Sequence, residues 1–219
     1  PVRTPRELAS VVDKLVAWQG RPPAKLALIA AGKSPGGETS VTQVGASHVA
    51  ALGSWTKATG FVDESSTAVV RAAVLAALNS GTPLVSYVGH SSYGQWDSTP
   101  ILKWDDVATL TNVGQPNLVV QWGCWNAYFA SPEVETMSNR LLLTPTVGAA
   151  AVIGSTALTS TRSHEALGAN FLARVSAGDA TIGQALLTAK RQLAATSPGA
   201  LDAIMGQALL GDPATPLPR

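Results

Sequence analysis

Two segments of the chain decide its fold: residues 84–92, LVSYVGHSS, and residues 118–126, LVVQWGCWN. Each is a largely apolar run that ends at a glycine, and a reactive side chain, His90 or Cys124, follows that glycine directly. Such runs are typical of strands buried on both faces, as in parallel sheets. Ligands of open parallel α/β sheets bind beyond the carboxyl ends of the strands. The two segments therefore predict a parallel sheet with His90 and Cys124 at its functional edge.

The rest of the chain alternates short apolar runs with longer segments of helical pattern. This alternation predicts an α/β fold, a three-layer α/β/α sandwich around a mostly parallel central sheet. The predicted strands are 25–31, 60–62, 83–89, 117–123 and 149–154. The predicted helices after the first one are 41–55, 67–79, 105–110, 133–143, 163–176, 182–195 and 201–210.

The first helix is predicted from its capping residues. Thr4 can cap it, Pro5 suits its first position and Glu7 completes a capping box. We predict that residues 1–23 are a helix and linker from an N-terminal subdomain, that 24–213 form the main domain, and that 214–219 are a tail. Because an amphipathic helix must bury its apolar stripe, we expect this one to dock on another piece of a longer precursor.

Composition narrows the class of protein. Of the 219 residues, 46% are hydrophobic and 13% are charged, and the net charge is +1, which is typical of a globular chain and not of a disordered one. We expect no nucleic-acid partner, because Lys and Arg form no cluster, and no membrane partner, because no apolar run is long enough to span one. The single cysteine, Cys124, excludes an intrachain disulfide and a cysteine-based zinc cluster.

His90 and Cys124 are candidates for a catalytic pair. Cys124 follows His90 by 34 residues, which is enough for one crossover between neighbouring parallel strands. A thiol needs a base or a positive neighbour to become a thiolate near neutral pH, and histidine, with an ordinary pKa near 6.5, suits that task. Because a free cysteine is usually a small buried hydrophobic residue, a purely structural role of Cys124 stays open.

A serine hydrolase is a second alternative. Gly89-His90-Ser91 resembles the start of a G-x-S-x-G elbow, with Ser91 as nucleophile and His164 as the downstream base. The fifth position of that motif is Tyr93 here instead of glycine, and Gly94 interrupts the helix that should follow. These departures disfavour the elbow.

Residues 27–34, ALIAAGKS, differ from a phosphate-binding loop only at the first glycine. Leu28 and Ile29 fit a strand, and Pro35-Gly36-Gly37 stands where the helix should begin. Without a helix N-terminus the phosphate cradle is lost, so this segment predicts a strand followed by a loop.

The two reactive segments resemble those of the gingipain-type cysteine peptidases, which are relatives of the caspases. That family has a hydrophobic strand, Gly-His-Gly, a later Trp, a Thr-Asn segment, and a Pro-led strand before its nucleophilic Cys. The resemblance covers residues 2–213. The matching positions here are 85–91, Trp96, Thr111-Asn112, 116–123, Cys124, Phe129, 133–143, 148–156 and Gly211-Asp212-Pro213.

The resemblance implies a caspase-like catalytic domain over 24–213 and a cysteine endopeptidase that works through His90, Cys124 and an acyl-enzyme. It implies an oxyanion hole made by the backbone N–H groups of Ser91 and Cys124. An inactive peptidase-fold scaffold or binding module is also an alternative, because Ser91 stands where the peptidases that these segments resemble have glycine. The third, orienting acid of the family matches Glu38 most closely.

The resemblance also leads to expectations about cleavage specificity, cofactors and cellular location. No acid lies at 40–43, where Arg- and Lys-specific members have one, so we expect poor cleavage after Arg or Lys. We expect Trp125, Asn126, Ser155 and Thr156 to bind substrate, and the substrate to be a protein or peptide. We expect no cofactor, although the family leaves room for a structural calcium ion, and a secreted or cell-surface location.

Overall fold

A computed structural model describes residues 2–36, 40–131 and 133–218. It contains a six-stranded sheet with the strand order β2-β1-β3-β6-β7-β8, in which only β8 runs antiparallel to its neighbour. In chain order the elements are α1 (Pro5–Gln19), β1 (Leu26–Ala31), α2 (Val41–Ala51), β2 (Thr56–Phe61), α3 (Thr67–Asn79), β3 (Leu84–Val88), β4 (Gln95–Trp96), β5 (Leu102–Lys103), α4 (Trp104–Val107), β6 (Asn117–Trp122), α5 (Met137–Leu143), β7 (Ala149–Ser155), α6 (Thr161–Ala177), α7 (Ile182–Thr196), α8 (Leu201–Gly206) and β8 (Gln207–Leu210).

The sheet is covered on both faces, which confirms the predicted sandwich. Alternate residues of β1 enter two separate cores: Ile29 packs with side chains from α2, α6 and α7, whereas Leu28 packs with side chains from α3 and α5. Strands β3, β6 and β7 are buried along their whole length. This double burial is the physical reason why these strands lack polar alternation.

The C-terminal part of the sheet differs from the prediction. The segment 201–210 was predicted as one helix, but α8 ends at Gly206 and β8 pairs with β7 from Gln207 onward. The pairing decides the outcome, because a short apolar run cannot be assigned to helix or strand from its pattern alone. Strand β2 also begins earlier than predicted. It lies at the edge of the sheet and is largely exposed, so its mixed sequence TKATGF lacks the apolar run by which the buried strands were predicted.

Helix α1 begins as predicted, with a complete capping box between Thr4 and Glu7. It packs on the body of this chain: Val11, Lys14 and Trp18 are buried, while Leu8 and Val12 on the outer side are 54% and 46% exposed. The tail packs there too, because the Trp18 indole Nε1–H donates to the carbonyl of Pro216 at 2.8 Å, and Leu217 is buried. Both segments predicted to flank the main domain are therefore in contact with it.

None of the described helices combines the length and hydropathy that a membrane span requires.

Candidate active site

The carboxyl ends of β3 and β6 bring His90 and Cys124 to one cavity. The two strands are neighbours in parallel register, with Val88 opposite Trp122, and both chains leave the sheet at the following glycine. His90 and Cys124 line a cavity of about 670 Å³, in which His90 is exposed and Cys124 is partly exposed. Among the hydrogen bonds of the described residues none joins the two side chains. The Cys124 thiol instead donates to the carbonyl of Thr159 at 3.5 Å.

Glycines allow the two loops to approach each other closely. Gly89 has φ 147°, a conformation that side chains disfavour, and its N–H donates to the carbonyl of Trp122 at 3.1 Å. A Cβ at Gly123 would overlap the Ser91 hydroxyl and would lie 2.6 Å from the Gly89 carbonyl oxygen. A larger residue at position 123 would therefore push the histidine loop away from the cysteine loop.

The amide of Asn126 joins the ends of three strands. Its Nδ2 donates to Ser91 Oγ at 3.0 Å and to the Gly123 carbonyl at 3.1 Å, and its Oδ1 accepts from the Ser155 N–H at 2.9 Å. Ser91 Oγ in turn donates to the carbonyl of Cys124 at 2.7 Å. Asn126 is fully buried, so the structure places it behind the cavity instead of in its wall.

These contacts argue against Ser91 as a nucleophile. Its hydroxyl donates to the Cys124 carbonyl and accepts from Asn126, and no histidine is among its hydrogen-bond partners in the described residues. His164, the base that the serine elbow needs, lies 3.3 Å from Ser155 Oγ. Ser91 therefore acts as a brace between the two loops.

The three histidines of the chain differ in burial, and two of them, His90 and His164, line the cavity. His164 is buried, and burial lowers its pKa to about 3, so its imidazole is neutral at neutral pH. His48 is buried as well, and burial lowers its pKa to about 4. Its ring contacts Trp122 edge-on. His90, by contrast, is exposed, and its side chain is accessible from the cavity.

The backbone of His90 is fixed by two residues. Its carbonyl accepts from the Tyr87 hydroxyl at 2.5 Å and from the Asp97 N–H at 2.8 Å. Burial and then the nearby Asp97 raise the pKa of Tyr87 well above its ordinary value, so the phenol keeps its proton and donates. Asp97 is buried at φ 66° and its carboxylate accepts from the backbone of Lys33 and Ser98. Only its place after Trp96 distinguishes Asp97 in the sequence.

Trp125 adopts an uncommon backbone conformation directly after the nucleophile candidate. Its φ is 62°, a value that bulky residues rarely adopt. Its N–H donates to the Ala157 carbonyl at 3.2 Å, and its ring contacts Tyr93 and Tyr128 at centroid distances of 5.8 and 5.2 Å. The half-buried Trp125 thus belongs to an aromatic cluster beside the cavity and is not among its lining residues.

The cavity wall lies further along the chain than predicted. Ser155 and Thr156 were expected to bind substrate, but Ser155 Oγ donates to Gln207 at 2.5 Å and Thr156 Oγ1 donates to the Gly206 carbonyl at 3.0 Å. Ser155 is thus occupied by the pairing of β7 with β8, and Thr156 by Gly206, the residue before β8. The chain reaches the cavity only at residues 158–162. The sequence offers no signal for this, because the contacts that occupy Ser155 and Thr156 come from residues about 50 positions later in the chain.

Two expectations cannot be placed on this geometry. Glu38, the predicted orienting acid, lies outside the described residues. Within the ranges that the structure describes, no group of three or more His, Cys, Asp or Glu could hold a metal ion.

Comparison with known proteins identifies the family. The profile described as "Peptidase family C25" matches residues 1–218 of this chain. The chain belongs to peptidase family C25. The match agrees with the resemblance to gingipain-type peptidases. A crystal structure of "the Arg specific cysteine proteinase gingipain R (RGPB)" also has the same fold, with a TM-score of 0.79 at 18% identity. No match was found among curated proteins.

Solved relatives of this C25 chain are longer. The gingipain R match covers 99% of this chain and 54% of the other. A complex of the pro- and mature domains of RgpB from Porphyromonas gingivalis matches with a TM-score of 0.77 at 19% identity, covering 99% of this chain and 55% of that one. A further structure, titled as that of a protease, gives 0.78 at 18% identity, with 99% and 54% coverage. The chain therefore spans about half the length of these relatives.

Proposed function

We propose that this C25 chain carries the catalytic site of a cysteine endopeptidase, with Cys124 as nucleophile and His90 as general base and acid. One observation carries the proposal. The single cysteine of the sequence and an exposed histidine line the same cavity, at the carboxyl ends of two neighbouring parallel strands. Ligands of such sheets bind at this place, and a thiol beside an imidazole is the pair that nucleophilic catalysis by cysteine requires.

The reaction follows from the chemistry of the two side chains. His90 takes the proton of the Cys124 thiol, and the thiolate attacks the carbonyl carbon of the scissile peptide bond. When the C–N bond breaks, the His90 imidazolium gives its proton to the leaving amine, and a thioester remains on Cys124. Water then attacks the thioester carbonyl while His90 takes one of its protons. The C–S bond breaks to release the carboxylic acid product, and the imidazolium returns its proton to the sulfur, which restores the thiol. No cofactor takes part in this scheme.

Backbone amides next to both residues are suited to stabilise the oxyanion. Across the described part of the chain, the N–H groups of Ser91 and Cys124 donate to no acceptor in the hydrogen-bond network. Free amide donors that converge on the attacked carbonyl lower the barrier of acyl transfer. The serine at position 91 keeps this donor, and its hydroxyl adds the contact to the Cys124 carbonyl.

Further parts of the proposal rest on the family alone. Glu38 as the orienting acid, a structural calcium ion and secretion remain predictions. A peptide substrate follows from the proposed reaction. The RgpB structure with its pro-domain motivates the further proposal that the remainder of its own precursor is a partner of this chain.

The test is cleavage of internally quenched peptides with varied sequence around the scissile bond. Cys124→Ala should lower kcat/KM at least about a thousandfold without changing the circular dichroism spectrum, because the nucleophile is lost and a small residue replaces a small one. Ser91→Ala should lower it only about tenfold, because a brace is lost. Loss of activity in Ser91→Ala together with full activity in Cys124→Ala would overturn the assignment.

Alkylation of Cys124 by iodoacetamide tests which histidine promotes formation of the thiolate. His90→Gln should slow labelling of Cys124 near neutral pH and shift its pH profile upward, because the thiolate loses its partner. The matched variant is His164→Gln, which changes a buried histidine of the same cavity and should leave the pH midpoint unchanged. Equal pH profiles for wild type and His90→Gln would contradict the pair, and slow labelling with no cleavage would favour a binding module.

A further inference from the structure

In the described part of the chain, one wall of the cavity carries a single permanent charge, and that charge is positive. Among the described residues that line it, Arg162 is the only Lys, Arg, Asp or Glu. The same wall holds the hydroxyl residues Thr159, Ser160 and Thr161. This wall belongs to the segment that leaves β7 and begins α6.

Arg162 has no partner among the residues that the structure describes. Its side chain is exposed and forms no ion pair or hydrogen bond within the described residues. A carboxylate that contacts the same segment, that of Asp202, is already occupied: it accepts from the Ser160 N–H at 2.7 Å and from Ser163 Oγ at 2.9 Å. Arg162 stands at the rim between the cavity and a smaller hollow of about 280 Å³ beside α7, so its side chain can reach over either.

The charged wall begins at the nucleophile. Thr159 lies three residues before Arg162, and its carbonyl oxygen is 3.5 Å from the Cys124 sulfur. Residues 159–162 therefore lie within reach of a side chain next to a carbonyl group that contacts Cys124. A guanidinium presents a rigid fork of donors that matches a carboxylate in two parallel hydrogen bonds.

We propose that Arg162 determines specificity by binding the carboxylate of a substrate Asp or Glu whose carbonyl group forms the scissile bond. The proposal rests on the proposed peptidase function and specifies its substrate class. It also gives a physical reason for the expected poor cleavage after Arg or Lys: a cationic side chain would enter the cavity opposite a cation, and no described lining residue supplies a carboxylate.

The experiment compares peptides that differ only at this one substrate residue: Glu against Gln, Asp against Asn, and Lys. Wild type should cleave after Glu or Asp with a kcat/KM about tenfold or more above the matching amide, because hydrogen bonds to charged groups are the strong ones. Arg162→Gln should lower that ratio to about one, Arg162→Lys should keep part of it, and Arg162→Glu should favour Lys. The control is Arg191→Gln, which changes an exposed arginine of α7 outside this cavity and should leave the ratio unchanged.

The outcomes separate this proposal from the one on which it rests. Cleavage that depends on Cys124 but shows no acidic preference would overturn the role of Arg162 and leave the peptidase intact. An acidic preference that survives in Arg162→Gln would overturn it as well. If no peptide is cleaved and Cys124 labels slowly, the peptidase function itself fails and the specificity fails with it.

Discussion

Asn126 shows how one buried side chain can align a site that it does not enter. Its amide contacts Ser91, Gly123 and the backbone of Ser155, and thus couples the ends of β3, β6 and β7. Asn126 itself is fully buried and does not line the cavity, whereas its partner Gly123 does. We interpret it as a positioning residue that holds the nucleophile loop against the histidine loop.

Replacing this amide should impair turnover more than binding. Asn126→Ala should lower kcat about tenfold to a hundredfold and slow alkylation of Cys124, while KM changes little, because misplacing reacting groups by about 1 Å costs on that order. It should also lower the free energy of unfolding by about 1–3 kcal/mol, since buried partners lose their hydrogen bonds. Steady-state kinetics and urea unfolding measure the two effects.

The matched control for Asn126 is Asn112. Asn112 is also a buried amide, and its Nδ2 donates to Gln115, Asn117 and Gly148, but it lies at the opposite end of β6. Asn112→Ala should cost similar stability and leave kcat unchanged. A kcat loss of equal size in both variants would mean that general destabilisation, and not positioning, explains the effect of Asn126.

At the scale of elements, Lys14 fastens α1 to the end of α5. Its ammonium group donates to the carbonyls of Leu142, Thr144 and Val147 at 2.5, 3.0 and 3.1 Å. The last carbonyls of a helix have no partner within the helix, so a buried lysine supplies the donors that α5 lacks. Burial lowers the pKa of Lys14 to about 7.

The shifted pKa of Lys14 makes the stability of this contact depend on pH. Between pH 7 and about 10.4 the unfolded lysine keeps a proton that the folded one lacks, so the free energy of unfolding should rise with pH, by at most ~1.4 kcal/mol per pH unit. Lys14→Met should cost about 1–3 kcal/mol at pH 7, and its deficit relative to wild type should grow towards pH 10.

Urea unfolding at several pH values measures this deficit, and Lys25→Met, at an exposed lysine, is the control with an expected effect within about 0.5 kcal/mol. A deficit of Lys14→Met that shrinks as the pH rises would contradict the predicted linkage.

At the scale of elements, the strand ends of the site could be predicted from the sequence, whereas the cavity wall could not. Gly89-His90 and Gly123-Cys124 were predictable, because two apolar strands that end in glycine place their next residues at one sheet edge whatever surrounds them. The cavity wall was not predictable, because Ser155 pairs with β8 and Thr156 bonds to Gly206 just before β8, about 50 residues later in the chain. Arg162 could be assigned only after that pairing was known. Likewise, the helical spacing in α1 could not show that Val11 would face the body and Val12 the outside.

At the scale of the whole molecule, Trp18 links α1 to the C-terminal tail. The indole is only 6% exposed and donates to the Pro216 carbonyl, so the first helix and the tail share one contact. The guanidinium of Arg21 stands 5.3 Å from the ring centroid and donates to the carbonyls of Gly81 and Pro116, which precede β3 and β6. The two ends of the chain are thereby tied to the amino ends of the strands that carry the site.

This arrangement predicts that α1 unfolds together with the sheet. Trp18→Ala should lower the global free energy of unfolding by about 3–5 kcal/mol, in a single transition followed by far-ultraviolet circular dichroism. Trp18→Phe keeps most of the apolar contact and loses the indole hydrogen bond, so it should cost about 1–2 kcal/mol. Val16→Ala, on the outer side of α1 where Val16 is 64% exposed, should stay within about 0.5 kcal/mol. A Trp18→Ala protein whose helical signal falls in a separate early step, with the main transition unmoved, would show that α1 is an appendage that needs another partner, as expected from the apolar stripe in its sequence.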